Sequence, residues 1–189
     1  MYIGLYFGSF NPIHTGHLII AKHILNETEI ENIWFIVSPQ NPLKKKSTLL
    51  NQQHRYNLIQ TAIKNETDLK VSNVEFNLPK PSYTIDTLTY LSEKYNNHTF
   101  SVIMGSDSLM NISKWKNYKT LINNYTLIIY ERIGVEIPEY KQKNIKFCKA
   151  PFVGISSTQI RKLIKENKSI SYLVPEDVKE EIERNNYYR

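Results

Sequence analysis

The first 37 residues impose the strongest constraint on how this chain folds. Tyr2 to Phe7 is a short apolar and aromatic run closed by Gly8, the pattern of a buried strand with a sharp exit. A turn over Gly8 to Pro12 follows. Apolar positions then recur at Leu18, Ile19, Ala21, Ile24 and Leu25, which is helical spacing, with Thr15 as the expected cap. Asn32 to Val37 reads as a second strand. Two strands joined by a helix of this length must run parallel, with a right-handed crossover.

The same alternation continues downstream. A loop from Ser38 to Leu50 carries Pro39, Pro42 and three consecutive lysines, before a helix expected over about Gln52 to Lys64 and a strand around Leu69 to Glu75. Pro79 and Pro81 interrupt the chain ahead of Ser82-Tyr83-Thr84, and Ile85, Leu88 and Leu91 continue as a helix. Strands are expected at Thr99 to Met104, Tyr125 to Tyr130 and Asn144 to Cys148, with mixed helix over Asn111 to Asn124. Two helices close the chain, about Ser157 to Glu166 and Pro175 to Arg184. This pattern predicts an α/β fold: a Rossmann-like, doubly wound, mainly parallel sheet with helices on both faces and a small C-terminal helical appendage. No linker or repeat divides it, so one domain over 1–189 is expected, with a core of about 1–150 and a helical part of about 151–189.

Composition narrows the classes of partner. No apolar run approaches the about 20 residues of a membrane span, so a membrane-embedded protein is not expected. The start, Met1-Tyr2-Ile3-Gly4, lacks the basic region and cleavage site of a secretory signal, and Cys148 is the single cysteine, which rules out intrachain disulfides and clustered-thiolate zinc sites. A cytoplasmic location is the expectation. The net charge of +6 favours anionic partners. Of the 24 basic residues only 5 are arginine, the side chain that reads phosphate and guanine bidentately, so nucleic acid is not expected as a partner.

In parallel sheets, ligands bind beyond the carboxyl ends of the strands. The loop after the first strand reads Gly8-Ser9-Phe10-Asn11-Pro12-Ile13-His14-Thr15-Gly16-His17. Gly8 permits a tight turn, and Gly16 removes a side chain where a ligand must approach. His14 and His17, three apart, share one face of a first helical turn, where unpaired N–H groups and the helix dipole favour phosphate. The plain alternative is one packed and one solvated histidine. Pairing around a glycine directly after a strand favours a polyphosphate site. Neither a Walker A motif nor a G-x-G-x-x-G fingerprint occurs. Downstream, Gly154-Ile155-Ser156-Ser157-Thr158-Gln159-Ile160-Arg161 opens a helix. Its hydroxyls are first of all caps, but Arg161 sits in first turns that disfavour a cation unless an anion shares the helix end.

The His-x-Gly-His core of the first loop, together with Ile155 to Arg161, resembles the two hallmark motifs of the nucleotidyltransferase superfamily and, within it, the bacterial nicotinate-nucleotide adenylyltransferases. Ser82-Tyr83-Thr84-Ile85-Asp86-Thr87-Leu88, Met104-Gly105-Ser106-Asp107 with Trp115, and Tyr172-Leu173-Val174-Pro175 resemble further segments of that family, in order along the whole chain. The resemblance implies transfer of AMP from ATP to nicotinate mononucleotide, with release of pyrophosphate, as a step of NAD biosynthesis. It assigns His14, His17, Lys44 and Arg161 to catalysis. It places Gly8, Ser9, Phe10, His17, Gly105, Asp107, Ile155, Ser156, Thr158 and Arg161 around ATP, and Asn11, Lys44, Thr84, Trp115 and Lys116 around the mononucleotide, with the indole stacked on the pyridine ring. No protein-held metal is implied, and Mg²⁺ is expected to arrive with ATP. Two departures stand out: Leu43 precedes Lys44 where the family often has histidine, and Lys116 follows Trp115 where it often has an aromatic. Lys116 is therefore expected near the substrate carboxylate.

Each assignment has a plainer alternative: Lys44 as solvated loop, Trp115 as packing, Thr84 and Asp107 as helix caps. Nicotinamide mononucleotide and phosphopantetheine are the rival acceptors, and a non-catalytic basic nucleic-acid-binding module is the rival class.

Overall fold

The computed structural model describes residues 1–39, 49–131 and 142–189. Strands β1 (Tyr2–Gly8), β2 (Asn32–Val37), β3 (Leu69–Ser72), β4 (Thr99–Gly105), β5 (Thr126–Tyr130) and β6 (Ile145–Cys148) form one sheet in the order β3-β2-β1-β4-β5-β6. Every neighbouring pair is parallel, so the expected Rossmann-like fold is the one observed. The order reverses at β1, whose neighbours are β2 and β4, and the crevice of such a sheet opens at the carboxyl ends of those strands.

Alternation along the strands builds a core on each face. Ile3 and Leu5 of β1 join Trp34, Ile36, Val102, Met104, Leu127 and Ile129 on one side, where α3 (Thr84–Lys94), α4 (Ser106–Met110) and α5 (Tyr118–Asn124) contribute Leu88, Leu91, Leu109 and Leu121. Tyr6 joins Ile33, Phe35, Ile103, Ile128 and Tyr130 on the other. That face is covered by α1 (Thr15–Glu27) and α2 (Gln52–Ala62), and by the C-terminal helices α6 (Ser157–Lys165) and α7 (Glu176–Arg184) through Ile160, Ile164, Val178 and Ile182. Thus the C-terminal helices share the hydrophobic core of the first half of the chain. Lys64 pairs with Asp177 at 2.7 Å, Thr61 donates to Glu181 at 2.8 Å, and the Tyr187 hydroxyl lies 2.8 Å from His54 Nδ1.

Three local expectations shift. Thr15 opens α1 rather than capping it; the cap position belongs to His14. The strand expected through Glu75 ends at Ser72, and Val74–Phe76 is a single 3₁₀ turn. Beyond that end the Glu75 carboxylate is buried and accepts from Ser82 and Thr87. The mixed helix after Asn111 resolves into a 3₁₀ turn at Ile112–Lys114 and α5, separated by Asn117 with a left-handed φ of 50°.

Candidate active site

The loop after β1 is folded back on itself by aromatic packing. Phe10 has φ 44° and is 2% exposed, and its ring lies directly over Gly8. A Cβ on Gly8 would meet that ring at 2.8 Å, so only glycine admits the fold-back. The His14 and His17 rings stack with centroids 3.7 Å apart, and Phe10 and Tyr6 hold His17 edge-on at 5.1 and 6.0 Å. The His14 backbone N–H donates to His17 Nδ1 at 3.3 Å. That nitrogen is therefore the acceptor, and the neutral imidazole carries its proton on Nε2 as a donor. Gly16 permits the segment before α6 to approach: a Cβ there would lie 3.0 Å from both His14 Nδ1 and Val153 Cγ1.

The second motif, about 150 positions away in sequence, lies against this loop. Arg161 Nη1 donates to the Asn11 carbonyl at 2.7 Å, Arg161 Nη2 to Thr158 Oγ1 at 3.2 Å, and Ser157 Oγ to the Pro12 carbonyl at 2.9 Å. Ser156 caps α6, its hydroxyl accepting from the Gln159 N–H at 3.2 Å, while Ile155 is half-buried against the core. Gly8, Ser9, Phe10, Asn11, His14, His17, Thr158 and Arg161 therefore converge where the N-terminal ends of α1 and α6 meet the end of β1. The Asn11 side chain is buried and accepts from the Leu50 N–H at 3.1 Å. Gly105 ends β4, the strand beside β1, and occupies the cap position of α4. Asp107 stands in the first turn of that helix, where the dipole favours its charge. The hydroxyls of Tyr6 and Tyr130 meet at 3.2 Å below.

A second group forms around the start of α3. Thr84 opens the helix and Tyr83 takes the cap position. Trp115, half-buried against the core, is followed by Lys116, whose ammonium lies 2.8 Å from Asp86 Oδ2 and 3.0 Å from its other oxygen, and 4.9 Å from the Tyr83 ring centre. The charge of Lys116 is thus shared with Asp86 of α3, and the pair ties the Trp115 loop to the helix start. Lys44 lies outside the described residues.

Two buried charges escaped the sequence reading. Arg55 of α2 is 0% exposed, and its guanidinium donates to the carbonyls of Ser9, Ser38 (2.9 Å), Pro39 (3.1 Å) and Leu50 (2.9 Å). Burial pushes its pKa down to about 10, partly offset by the nearby Tyr188 phenol. Glu75, 2% exposed, accepts from Ser82 Oγ at 2.8 Å and Thr87 Oγ1 at 2.9 Å, and from Ser38. Burial raises its pKa, opposed by those hydroxyls. The only sequence signal for Arg55 was its rarity, one of five arginines, and Glu75 stood only as the last residue of an expected strand. Among the described residues there is no group of three or more His, Cys, Asp or Glu side chains able to hold a metal ion, and no helix long and apolar enough to cross a membrane.

Comparison with known proteins accords with this geometry. The cytidylyltransferase-like family model matches residues 5–163. A probable nicotinate-nucleotide adenylyltransferase of Flavobacterium johnsoniae is 49% identical over the full length of both chains, and one of Cytophaga hutchinsonii is 46% identical over 100% of this chain and 98% of its own. The structure of Plasmodium falciparum nicotinic acid mononucleotide adenylyltransferase complexed with NaAD superposes with a TM-score of 0.81 at 25% identity, covering 99% of this chain and 97% of that one. The chain belongs to the cytidylyltransferase-like family and, within it, to the nicotinate-nucleotide adenylyltransferases.

Proposed function

We propose that the protein transfers AMP from Mg·ATP to nicotinate mononucleotide, producing nicotinate adenine dinucleotide and pyrophosphate. The observation that carries this reading is the bond from Arg161 to the Asn11 carbonyl, which joins two motifs from opposite ends of the chain around the N-termini of α1 and α6. A guanidinium, two helix N-termini and a histidine Nε2–H on one side of a parallel sheet suit a polyphosphate.

In this reading the triphosphate lies along the first loop, with His17 Nε2–H donating to the α-phosphate and Arg161 and Thr158 to the β- and γ-phosphates. His14, stacked on His17, fixes that ring's direction. Gly105, Asp107 and Ile155 line the adenosine, and Trp115 and Thr84 receive the mononucleotide. An oxygen of its phosphate attacks the α-phosphorus; the new P–O bond forms as the bond to the bridging oxygen breaks, and pyrophosphate leaves with that electron pair. The attacking oxygen carries no proton at neutral pH, so no general base is needed. Alignment of two bound reactants supplies about 7–11 kcal/mol of the barrier reduction, and the rest is charge neutralisation on the departing pyrophosphate. Mg²⁺ would enter as part of the substrate and would supply charge neutralisation at the phosphates.

The acid is favoured over the amide as acceptor because the N-terminus of a helix, here the start of α3, suits a carboxylate. Pyrophosphate release measured with each mononucleotide tests the choice: a large preference for the amide overturns it. For the chemistry, His17→Ala should lower kcat by about 10²–10³, the scale of one lost transition-state donor. Wild-type turnover in that variant would remove His17 from the mechanism.

A further inference from the structure

Glu75 is a carboxylate 2% exposed in the one-turn helix after β3, and no cation pairs with it among the described residues. Its partners are hydroxyls: Ser82 just before α3, Thr87 one turn inside it, and Ser38 after β2. Burying a carboxylate without a counter-charge is unfavourable, and a leucine at this position would avoid that cost. What a leucine would not supply is the two-sided grip on α3. Ser82 and Thr87 bracket Tyr83 and Thr84 in sequence, so the two carboxylate oxygens hold the helix start from both flanks. Thr87 is fully buried, and its hydroxyl also lies 3.3 Å from the Tyr83 carbonyl, so Glu75 decides where that hydroxyl points. The third partner, Ser38, donates its N–H to the Gly8 carbonyl at 2.9 Å, and its own carbonyl accepts from Arg55. The start of α3 is thereby referenced to the loop after β1.

We propose that Glu75 is a positioning residue for the mononucleotide subsite, setting the N-terminus of α3 against the triphosphate loop through Ser82, Thr87 and Ser38. This rests on the reading of Thr84 and Trp115 as that subsite. First-turn N–H groups have no intrahelical partner, and their use in binding depends on their direction. A helix start released on one flank loses that direction while the ATP half, built from β1, α1 and α6, keeps its own contacts.

The test is steady-state kinetics on the full chain, preceded by wild-type turnover of ATP with nicotinate mononucleotide. Absence of that turnover defeats the functional reading itself and is thereby distinguished from failure of the present proposal. In Glu75→Gln the charge is removed and the hydroxyl facing the amide nitrogen must turn to accept instead of donate, so the grip on α3 is weakened on one flank. The KM for the mononucleotide should rise about five- to twentyfold, the scale of one hydrogen bond with some reorientation, while the KM for ATP stays within about twofold. Thr87→Val, which keeps the side-chain shape, should act in the same direction. The two changes should be less than additive in the double variant, because both act on the same grip on α3. Equal changes in both KM values, or a lower melting temperature with neither KM changed, would overturn the proposal. If Glu75→Gln does not fold, the KM split in Thr87→Val alone decides.

Discussion

Replacing Arg55 should unfasten the active-site loops before it touches any substrate contact. Its guanidinium joins the carbonyls of Ser9, Ser38, Pro39 and Leu50. At about 1.5 kcal/mol each, the low end for bonds to a charged group, four such bonds are worth about 6 kcal/mol. Burial without a carboxylate partner among the described residues opposes this, and a pKa held down to about 10 corresponds to about 3 kcal/mol of lost hydration. The balance is a net contribution of about 3 kcal/mol. Arg55→Met is the informative variant because methionine fills much of the same volume, separating lost bonds from a cavity. In urea denaturation followed by circular dichroism, the midpoint should fall with an unchanged m-value by an amount equivalent to about 3 kcal/mol, or about 6–12 °C in Tm. Arg55→Lys should fall between the two, since one ammonium cannot span four carbonyls in a planar fork. If Arg55→Met unfolds within about 1 kcal/mol of wild type, the guanidinium is not what holds these loops, and the accounting is wrong.

Further outcomes follow from the same geometry. Because burial raises the Glu75 pKa in the folded state, the protonated form binds the fold better; the group's contribution is fully present below the ordinary carboxyl range and is lost as pH rises through the folded value. Wild type should therefore gain stability relative to Glu75→Gln as pH falls toward the ordinary carboxyl range, and a pH-independent difference in urea midpoints would contradict this. Gly16→Ala places a methyl 3.0 Å from His14 Nδ1 and Val153 Cγ1, so kcat/KM for ATP should fall about tenfold even though alanine is the better helix former; unchanged kinetics would show that the contact yields freely. Lys116→Ala should raise the KM for nicotinate mononucleotide more than that for ATP, with a stability change under about 1 kcal/mol because its pair with Asp86 is exposed. Equal KM values in variant and wild type would dismiss Lys116 from the subsite.

Much of the candidate site was legible from residue type and spacing. Histidines three apart after a strand-ending glycine share a helical face, and an arginine near a helix start, as Arg161 is, points to an anion at that end. The buried supports were not legible in this way. Arg55 follows Asn51-Gln52-Gln53-His54 and has the neighbours of a solvated helix face. Glu75 falls at the end of what reads as a continuing strand, yet the chain leaves the ladder at Ser72 and buries the carboxylate in a 3₁₀ turn. In both cases the deciding partners are backbone carbonyls or hydroxyls from other elements, which no local pattern encodes. The Lys116–Asp86 pair is of the same kind, spanning 30 positions.

From the order of residues alone came the alternation of strands and helices, the parallel sheet that follows from it, and the two motifs that name the chemistry, because propensity, periodicity and crossover handedness act over a few residues or one βαβ unit. Only the folded chain determined that β1 lies between β2 and β4, that Arg161 reaches the Asn11 carbonyl, and that two buried charges brace the loops. Those features depend on which distant segments share a core, and that is settled by packing over the whole molecule rather than by any stretch of it.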